Sequence, residues 1–333
     1  GSSPSNSGIF FTGAQDNGVN RNKLNSWQHV MIGDGMESVV SHEDPDIVYG
    51  AIQNGAISRS TDGGANFYES IAPTDNGSWC TPFIMDRHNA NILYFGAKHL
   101  WKTEDGGSQW TDITPTGVTG GEITSLVQAP SDEKVIYFAQ TTASTASNLR
   151  IRKTIDGGKT WILINKGLPT SNLYLSGIAV DPLDAQHIWI SVSGYSAANK
   201  VFESTDGGGT WTNITQNLPN VPANCIVAEP TMEKGVYVGT DLGVFYKSTS
   251  TGGWVLWNDG LPVVMVNELE VLPQFGKIRA ATYGRGVWEA PIAGSIVGIE
   301  KIELFNNDIK LYPNPASSQA YISTPKELSL TDI

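Results

Sequence analysis

Cysteine is nearly missing from this chain: Cys80 and Cys225 are its only two thiols, far apart in the sequence. That excludes a disulfide scaffold and leaves a single long-range bridge open. Long apolar runs are missing as well. None approaches the roughly 18 residues of a membrane span, so no membrane span is expected. Basic charge is short: 21 Lys and Arg stand against 33 Asp and Glu, a formal net charge of −12. Phosphate-bearing partners demand a basic face, which argues against nucleic acid and anionic membrane. The five histidines are scattered without metal-ligand spacing, and neither a phosphate loop nor a Gly-x-Ser-x-Gly phrase occurs. No metal and no cofactor is expected. Helical periodicity is lacking too, and the polar opening "GSSPSNSG" has none of the ordered charged and apolar regions of a signal peptide.

What the chain does have is glycine and aromatics: 36 Gly, 10 Trp, 11 Tyr and 10 Phe. That balance suits many short strands joined by tight turns. One phrase recurs, as "STDGGANF" at 60–67, "TEDGGSQW" at 103–110, "TIDGGKTW" at 154–161 and "STDGGGTW" at 204–211, with a worn fifth copy, "STSTGGW", at 248–254. A period of about 40–50 residues built from short strands predicts a propeller or a similar array. Each period reads as four strands, with the repeated box at the turn from the third to the fourth.

Second-strand phrases such as "IVYGAIQNGAI" and "GVYVGTDLGVF" occur seven times, first-strand phrases such as "SGIAVDP" only six. The expected fold is all-β: a β-propeller of about seven four-stranded blades, the first lacking its inner strand and the last its outer one. A ring with both gaps reads as a propeller whose start belongs to a longer protein. In the box, Asp62, Asp105, Asp156 and Asp206 are expected to accept backbone N–H groups of their own turn. The paired glycines supply positive φ, and the closing aromatic packs between blades. A single active site does not need four copies of one carboxylate, so these aspartates are assigned a structural role.

These phrases resemble the Asp-box (BNR) repeat, S/T-x-D-x-G-x-x-W, of sialidase-like, sortilin-like and xyloglucanase-like β-propellers, over roughly residues 9–292. The resemblance implies a fold that hosts hydrolases, receptors and binding modules alike. Sialidase chemistry fits poorly: that family needs an arginine trio and usually an Arg-Ile-Pro phrase, which is absent here.

The propeller is assigned to 1–292 and a linker to 293–299. In 300–333, "LYPNPASS" followed by "AYIST" resembles the start of the C-terminal sorting domain of the type IX secretion system of Bacteroidota. That resemblance implies a truncated, β-sandwich-like tail, recognition by the type IX secretion machinery, and a protein secreted or displayed on the outer-membrane surface.

Strand alternation puts the boxes and the first-to-second turns on one face of the ring. The opposite face carries the fourth-to-first and second-to-third loops, which vary in length and content, and variable loops on a rigid scaffold are where binding usually lives. Candidate ligand-binding residues there are Gln15, Asn17, Asp34, Glu37, Gln53, Trp79, His99, Asp241, Tyr283 and Arg285, with Asn54, Asp75, Lys98 and Glu122 beside them. The candidate catalytic residue is Asp16. In xyloglucanase-like tandem propellers a D-x-G-G-F/Y phrase at this loop supplies a catalytic carboxylate. "GAQDNGV" matches it at Asp16 but lacks the second glycine, and Val19 replaces the aromatic. The plainer reading is a turn in which Asn17-Gly18 takes positive φ. The expected function is a glycan- or protein-binding module whose partner is a polysaccharide or a surface protein. The alternative is the downstream propeller of a xyloglucanase-like glycoside hydrolase acting on a β-glucan, with Asp16 as one of two acid/base carboxylates.

Overall fold

A computed structural model of the chain describes residues 1–116, 118, 121–141, 150–169, 174–258, 260–293, 310–312 and 321–323. The chain divides into two compact units, Gly1–Gly294 and Ser295–Ile333. In the second, Lys310–Tyr312 pairs antiparallel with Tyr321–Ser323. The Pro-Asn-Pro-Ala phrase, the linker from 294 onward and the rest of the expected sorting domain lie outside the described residues.

The first unit is a seven-bladed β-propeller of antiparallel sheets. Blade 1 holds strands Ile9–Ala14, Gly18–Lys23 and Ser26–Met31. The inner strands of blades 2 to 7 are Gly35–Val40, Phe83–Met85, Ile123–Gln128, Tyr174–Asp181, Ala223–Ala228 and Val266–Leu272. The outer strands of blades 2 to 6 are only two residues long: Glu69–Ser70, Thr111–Asp112, Ile162–Leu163, Thr212–Asn213 and Val255–Leu256. Among the described residues blade 7 holds three strands and ends at Gly286–Pro291, as expected.

One expectation is corrected. Blade 1 does not lack its inner position, because Gly1–Ser3 fills it. Ser2 bridges Phe10, the Ser3 N–H donates to the Ile9 carbonyl at 2.9 Å, and the Phe11 N–H donates to Gly1 at 2.8 Å. So short a segment carries no readable strand pattern. The same residues close the ring against blade 7. The Ser2 N–H donates to Glu270 at 3.1 Å, and Arg279 donates to Ser2 Oγ at 2.6 Å and to the Ser7 carbonyl. The Arg279 guanidinium also lies 4.2 Å from the centre of the Phe10 ring. Arg279 is buried, and Glu289 balances its charge at 2.9 Å.

Each repeated turn is built the same way. In blade 5, Ser204 Oγ donates to Asp206 Oδ1 at 2.8 Å and accepts the Gly208 N–H at 2.8 Å. Asp206 Oδ1 also accepts the Thr210 N–H at 2.8 Å. Gly207 and Gly208 have φ of 69° and 90°, a region in which side chains are rarely tolerated. The Gly207 N–H crosses to Gln186 in the first-to-second turn at 2.7 Å, and the equivalent bonds at Gly63, Gly106 and Gly157 put both kinds of turn on one face.

The closing tryptophan joins neighbouring blades. The indole N–H groups of Trp110, Trp161, Trp211 and Trp254 donate to the carbonyls of Ile71, Ile113, Ile164 and Ile214 in the preceding blade, at 2.6, 3.2, 2.8 and 2.8 Å. The side chains of Ile71, Ile113 and Ile164 in turn occupy the space that a Cβ on Gly107, Gly158 or Gly208 would need, at 2.5, 2.9 and 2.5 Å. Indole, isoleucine and glycine form one interlocking unit at each blade junction.

Two outcomes follow. Trp254 is 3% exposed, so Trp254→Ala is expected to cost about 3–5 kcal/mol in urea unfolding. Trp254→Phe keeps most of the packing and is expected to lose roughly 1–2 kcal/mol with the hydrogen bond. No loss in the Phe variant would mean that the bond contributes nothing. Hydrogen bonds within the turns hold the carboxyls of Asp62, Asp156 and Asp206 down at about 2. A depressed carboxylate stabilises the fold above its unfolded pKa and loses that contribution as pH falls through the folded value. Between about pH 4 and pH 2 the parent is therefore expected to lose stability faster than a triple Asn variant, measured by denaturant midpoints.

Candidate functional site

On the face opposite the repeated turns, loops of neighbouring blades bond to one another. Asp16 sits at the tip of the loop between the second and third strands of blade 1. Its φ is 62°, and its backbone N–H donates to Asp34 Oδ1 at 2.7 Å. Asp34, in the loop entering blade 2, receives its own N–H bond from the side of Gln53: the Asp34 N–H donates to Gln53 Oε1 at 2.9 Å, and the Gln53 N–H returns to the Asp34 carbonyl at 3.1 Å. The Asn54 N–H then donates to the Trp79 carbonyl at 3.2 Å. The structure thus links Asp16, Asp34, Gln53, Asn54 and Trp79 across blades 1 to 3. Positive φ was expected at Asn17-Gly18; Gly18 has it at 64°, but Asp16 takes it instead of Asn17. Capture of its N–H by Asp34 accounts for the exchange. Gln15, Asp16 and Asn17 are exposed.

A second cluster surrounds Asp75. One carboxylate oxygen accepts the His99 N–H at 3.0 Å and the Trp101 indole at 3.1 Å, and lies 3.0 Å from His99 Nδ1. Burial works against its charge, but these hydrogen bonds hold its pKa below the usual carboxylate range. Asp241 stands apart, accepting from Asn224 at 3.0 Å. Tyr283 is 72% exposed beside the exposed Arg285 on the second-to-third loop of blade 7. Tyr174, Tyr195 and Trp79 also present exposed rings at this end of blades 5 and 3. Lys98 and Glu122 contribute backbone carbonyls to neighbouring loops.

Glu37 is placed differently from its expectation as a loop residue. It belongs to the inner strand Gly35–Val40 and lines the central channel, a cavity of about 510 Å³ walled by all the blades. Glu268 and Glu270 of blade 7 face the same space. Burial, then the charge of Glu268, raises the Glu37 carboxyl to about 8, and burial raises Glu268 as well. Two buried hydroxyls on the channel wall, Ser38 Oγ and Thr124 Oγ1, have no protein partner. Cys80 and Cys225 also line the channel, and both thiols are free. No group of three or more His, Cys, Asp and Glu side chains able to hold a metal occurs among the described residues.

Sequence reasoning missed the channel carboxylates of blade 7, which read there as alternating strand residues. It also missed a buried cluster in blade 5, where His187 lies 3.2 Å from Asp181 and 2.8 Å from Glu203. His187 was visible only as one of five scattered histidines.

The raised Glu37 carboxyl has a consequence for stability. Between about pH 4.5 and pH 8 the folded state holds a proton that the unfolded chain has released, so this group favours folding at low pH and its contribution disappears as pH rises through 8. Glu37→Gln is expected to flatten that decline, seen as a smaller difference between denaturant midpoints at about pH 5 and pH 9. An unchanged slope would exclude Glu37 as its source.

No family model matches the chain. A xyloglucanase from a Paenibacillus species is 28% identical over 242 residues, which cover 63% of this chain and 20% of the relative. The chain spans about a fifth to a quarter of the length of the curated xyloglucanases it matches. Among solved structures, an ancestral GH74 enzyme superposes with a TM-score of 0.70 at 15% identity, over 88% of this chain and 44% of that one. YCF48 from Cyanidioschyzon merolae superposes with a TM-score of 0.63 at 13% identity, over 87% and 92%. No helix among the described residues is long and apolar enough to cross a membrane. The chain is a seven-bladed β-propeller that resembles the propellers of GH74 xyloglucanases.

Proposed function

We propose that this propeller, with repeats of the Asp-box type, binds a β-glucan of the xyloglucan kind across its loop face. The observation that carries the reading is the interlocked loop network from Asp16 to Trp79, which ties loops of three blades together beside the channel mouth, where Trp79 presents an exposed ring. Tyr283, Tyr174 and Tyr195 add exposed rings around the same face. Sugar recognition uses this combination: flat aromatic faces cover the apolar side of a pyranose, while carboxylates and amides bond its hydroxyls. Similarity to xyloglucanases supports a glucan over a surface protein as the ligand. The acidic surface suits a neutral polysaccharide, since no partner charge has to be matched.

A second reading keeps the face and makes Asp16 one of two acid/base carboxylates in a hydrolase. Its backbone is pinned while its carboxylate is exposed, the disposition an acid or base at a cleft wall requires. Inverting hydrolysis needs a second carboxylate roughly 6.5–9.5 Å away with water between. The resemblance implies that an upstream propeller supplies it. The tail phrase "LYPNPASS" supports export through type IX secretion, with the glucan met outside the cell.

Calorimetric titration with xyloglucan oligosaccharides is expected to give saturable binding. Trp79→Ala and Tyr283→Ala should each weaken it about tenfold, the size of one lost stacking contact. Folded variants that both bind as the parent does would remove the loop face from consideration. Reducing-end release by the longest natural chain carrying this segment, beside Asp16→Asn, separates the two readings. Cleavage lost in the variant makes Asp16 catalytic; binding without cleavage leaves it a positioning residue of a binding module.

A further inference from the structure

Blade 7 differs from its sisters at one place. Its third strand, Gly286–Pro291, pairs with Lys277–Thr282 on one side, and no strand covers its other edge among the described residues. Alignment by strand register explains why no repeated turn follows it. In blade 5, Ile188 opposes Ser204; in blade 7, Ile278 opposes Ala290. Ala290 and Ile292 therefore stand where Ser204 and Asp206 build the turn, and neither side chain can make its hydrogen bonds.

The blade junction nonetheless keeps the receiving half of the clasp. Trp257 of blade 6 occupies the position of Ile214 in blade 5. Its N–H donates to the Val244 carbonyl at 2.8 Å, as that of Ile214 donates to Val201 at 3.0 Å. Leu261 corresponds to Leu218, four residues further on. In four sister blades the equivalent carbonyl accepts an indole N–H. At Trp257 no indole arrives among the described residues. A shallow apolar cleft remains instead, lined by Val244, Trp257, Leu261, Ile278, Ala280 and Trp288. Trp288 is 37% exposed at the bare edge.

We propose that this cleft and the adjoining edge of Gly286–Pro291 form a docking site for an extended peptide segment of the form Trp-x-x-Ile, added as the fourth strand of blade 7. The occupant's chemistry comes from the molecule's own repeats. The segments that fill the equivalent position are Trp110-Thr-Asp-Ile113, Trp161-Ile-Leu-Ile164, Trp211-Thr-Asn-Ile214 and Trp254-Val-Leu-Trp257. In each, the indole enters the cleft and the next two residues pair with the third strand. In blade 5, Thr212 and Asn213 pair with Glu203 and Phe202, which correspond to Glu289 and Trp288. Strand addition supplies affinity through the main chain, and the single deep side chain supplies selection. The site lies at the outer rim of the ring and is independent of the loop face.

The test uses the full chain and a dye-labelled synthetic peptide, Gly-Gly-Thr-Trp-Thr-Asn-Ile-Thr, which copies residues 208–215. Fluorescence anisotropy is expected to show saturable binding, weakened roughly tenfold or more when the peptide's Trp is replaced by Ala. Amide hydrogen exchange is expected to slow across 286–291 on binding and to stay unchanged at the loop face. Absence of saturable binding, or equal affinity for the two peptides, overturns the proposal. So does strong protection of 286–291 in the free chain, which would assign the edge to a segment of this same chain.

Discussion

The propeller depends on one contact repeated at its blade junctions: an indole N–H donated to an isoleucine carbonyl, with that isoleucine's side chain pressed onto a glycine of the next turn. Strands within a blade hold themselves together through ladders, but among the described residues neighbouring blades share no ladder. Apart from a few main-chain bonds between loops, their association rests on side chains, and a flat apolar interface would let blades slide. The tryptophan prevents this because its ring buries a large area while its one polar atom is tied to a main-chain carbonyl of the preceding blade. The glycine adds the complementary constraint. Any side chain there would displace the isoleucine and would also be strained at positive φ. The repeated aspartate acts one step back, fixing the turn that aims the indole.

That contact is why the fold was so legible. Asp, Gly-Gly and Trp at fixed offsets each answer to a separate physical demand, so copies of the phrase mark strand boundaries more sharply than hydropathy could. Where the demand lapses, the reading lapses too. Gly1–Ser3 contributes an inner strand through main-chain bonds and the Glu270–Arg279 pair, none of which leaves a pattern in three small residues. The face assignment succeeded because alternation alone decides it, and the bonds from Gly63, Gly106, Gly157 and Gly207 to the neighbouring turns bear it out.

The candidate site was legible only in part. Loop membership could be read for Asp16, Asp34, Gln53 and Trp79, but their mutual bonding joins residues of three blades and depends on ring curvature, which no local phrase encodes. Glu37 shows the opposite error. Its Gly-Asp-Gly surroundings look like a loop, yet Gly13, Gly18 and Gly35 let the chains of blades 1 and 2 approach closely there; a Cβ on Gly35 would meet the Gly18 carbonyl at 2.0 Å. The strand consequently starts earlier than the phrase suggests and turns Glu37 into the channel, opposite carboxylates more than two hundred residues away.

Asp16 combines these threads. A non-glycine residue at φ 62° costs about 1–3 kcal/mol unless its surroundings hold it there. A bare hairpin would place Asn17 in the left-handed region at less cost, so the observed choice needs an external cause. Asp34 supplies it by accepting the Asp16 N–H. The bond also brings the Asp34 carboxyl against the Asp16 backbone, with Asp16 exposed and Asp34 partly open to solvent. Folding stability alone would be served by an Asn in either place. The proposed glucan reading gives such a pair a use, because a ligand rich in hydroxyls offers donors to both carboxylates. The strain at Asp16 lies on the loop face, apart from the blade junctions through which the scaffold reaches its stability.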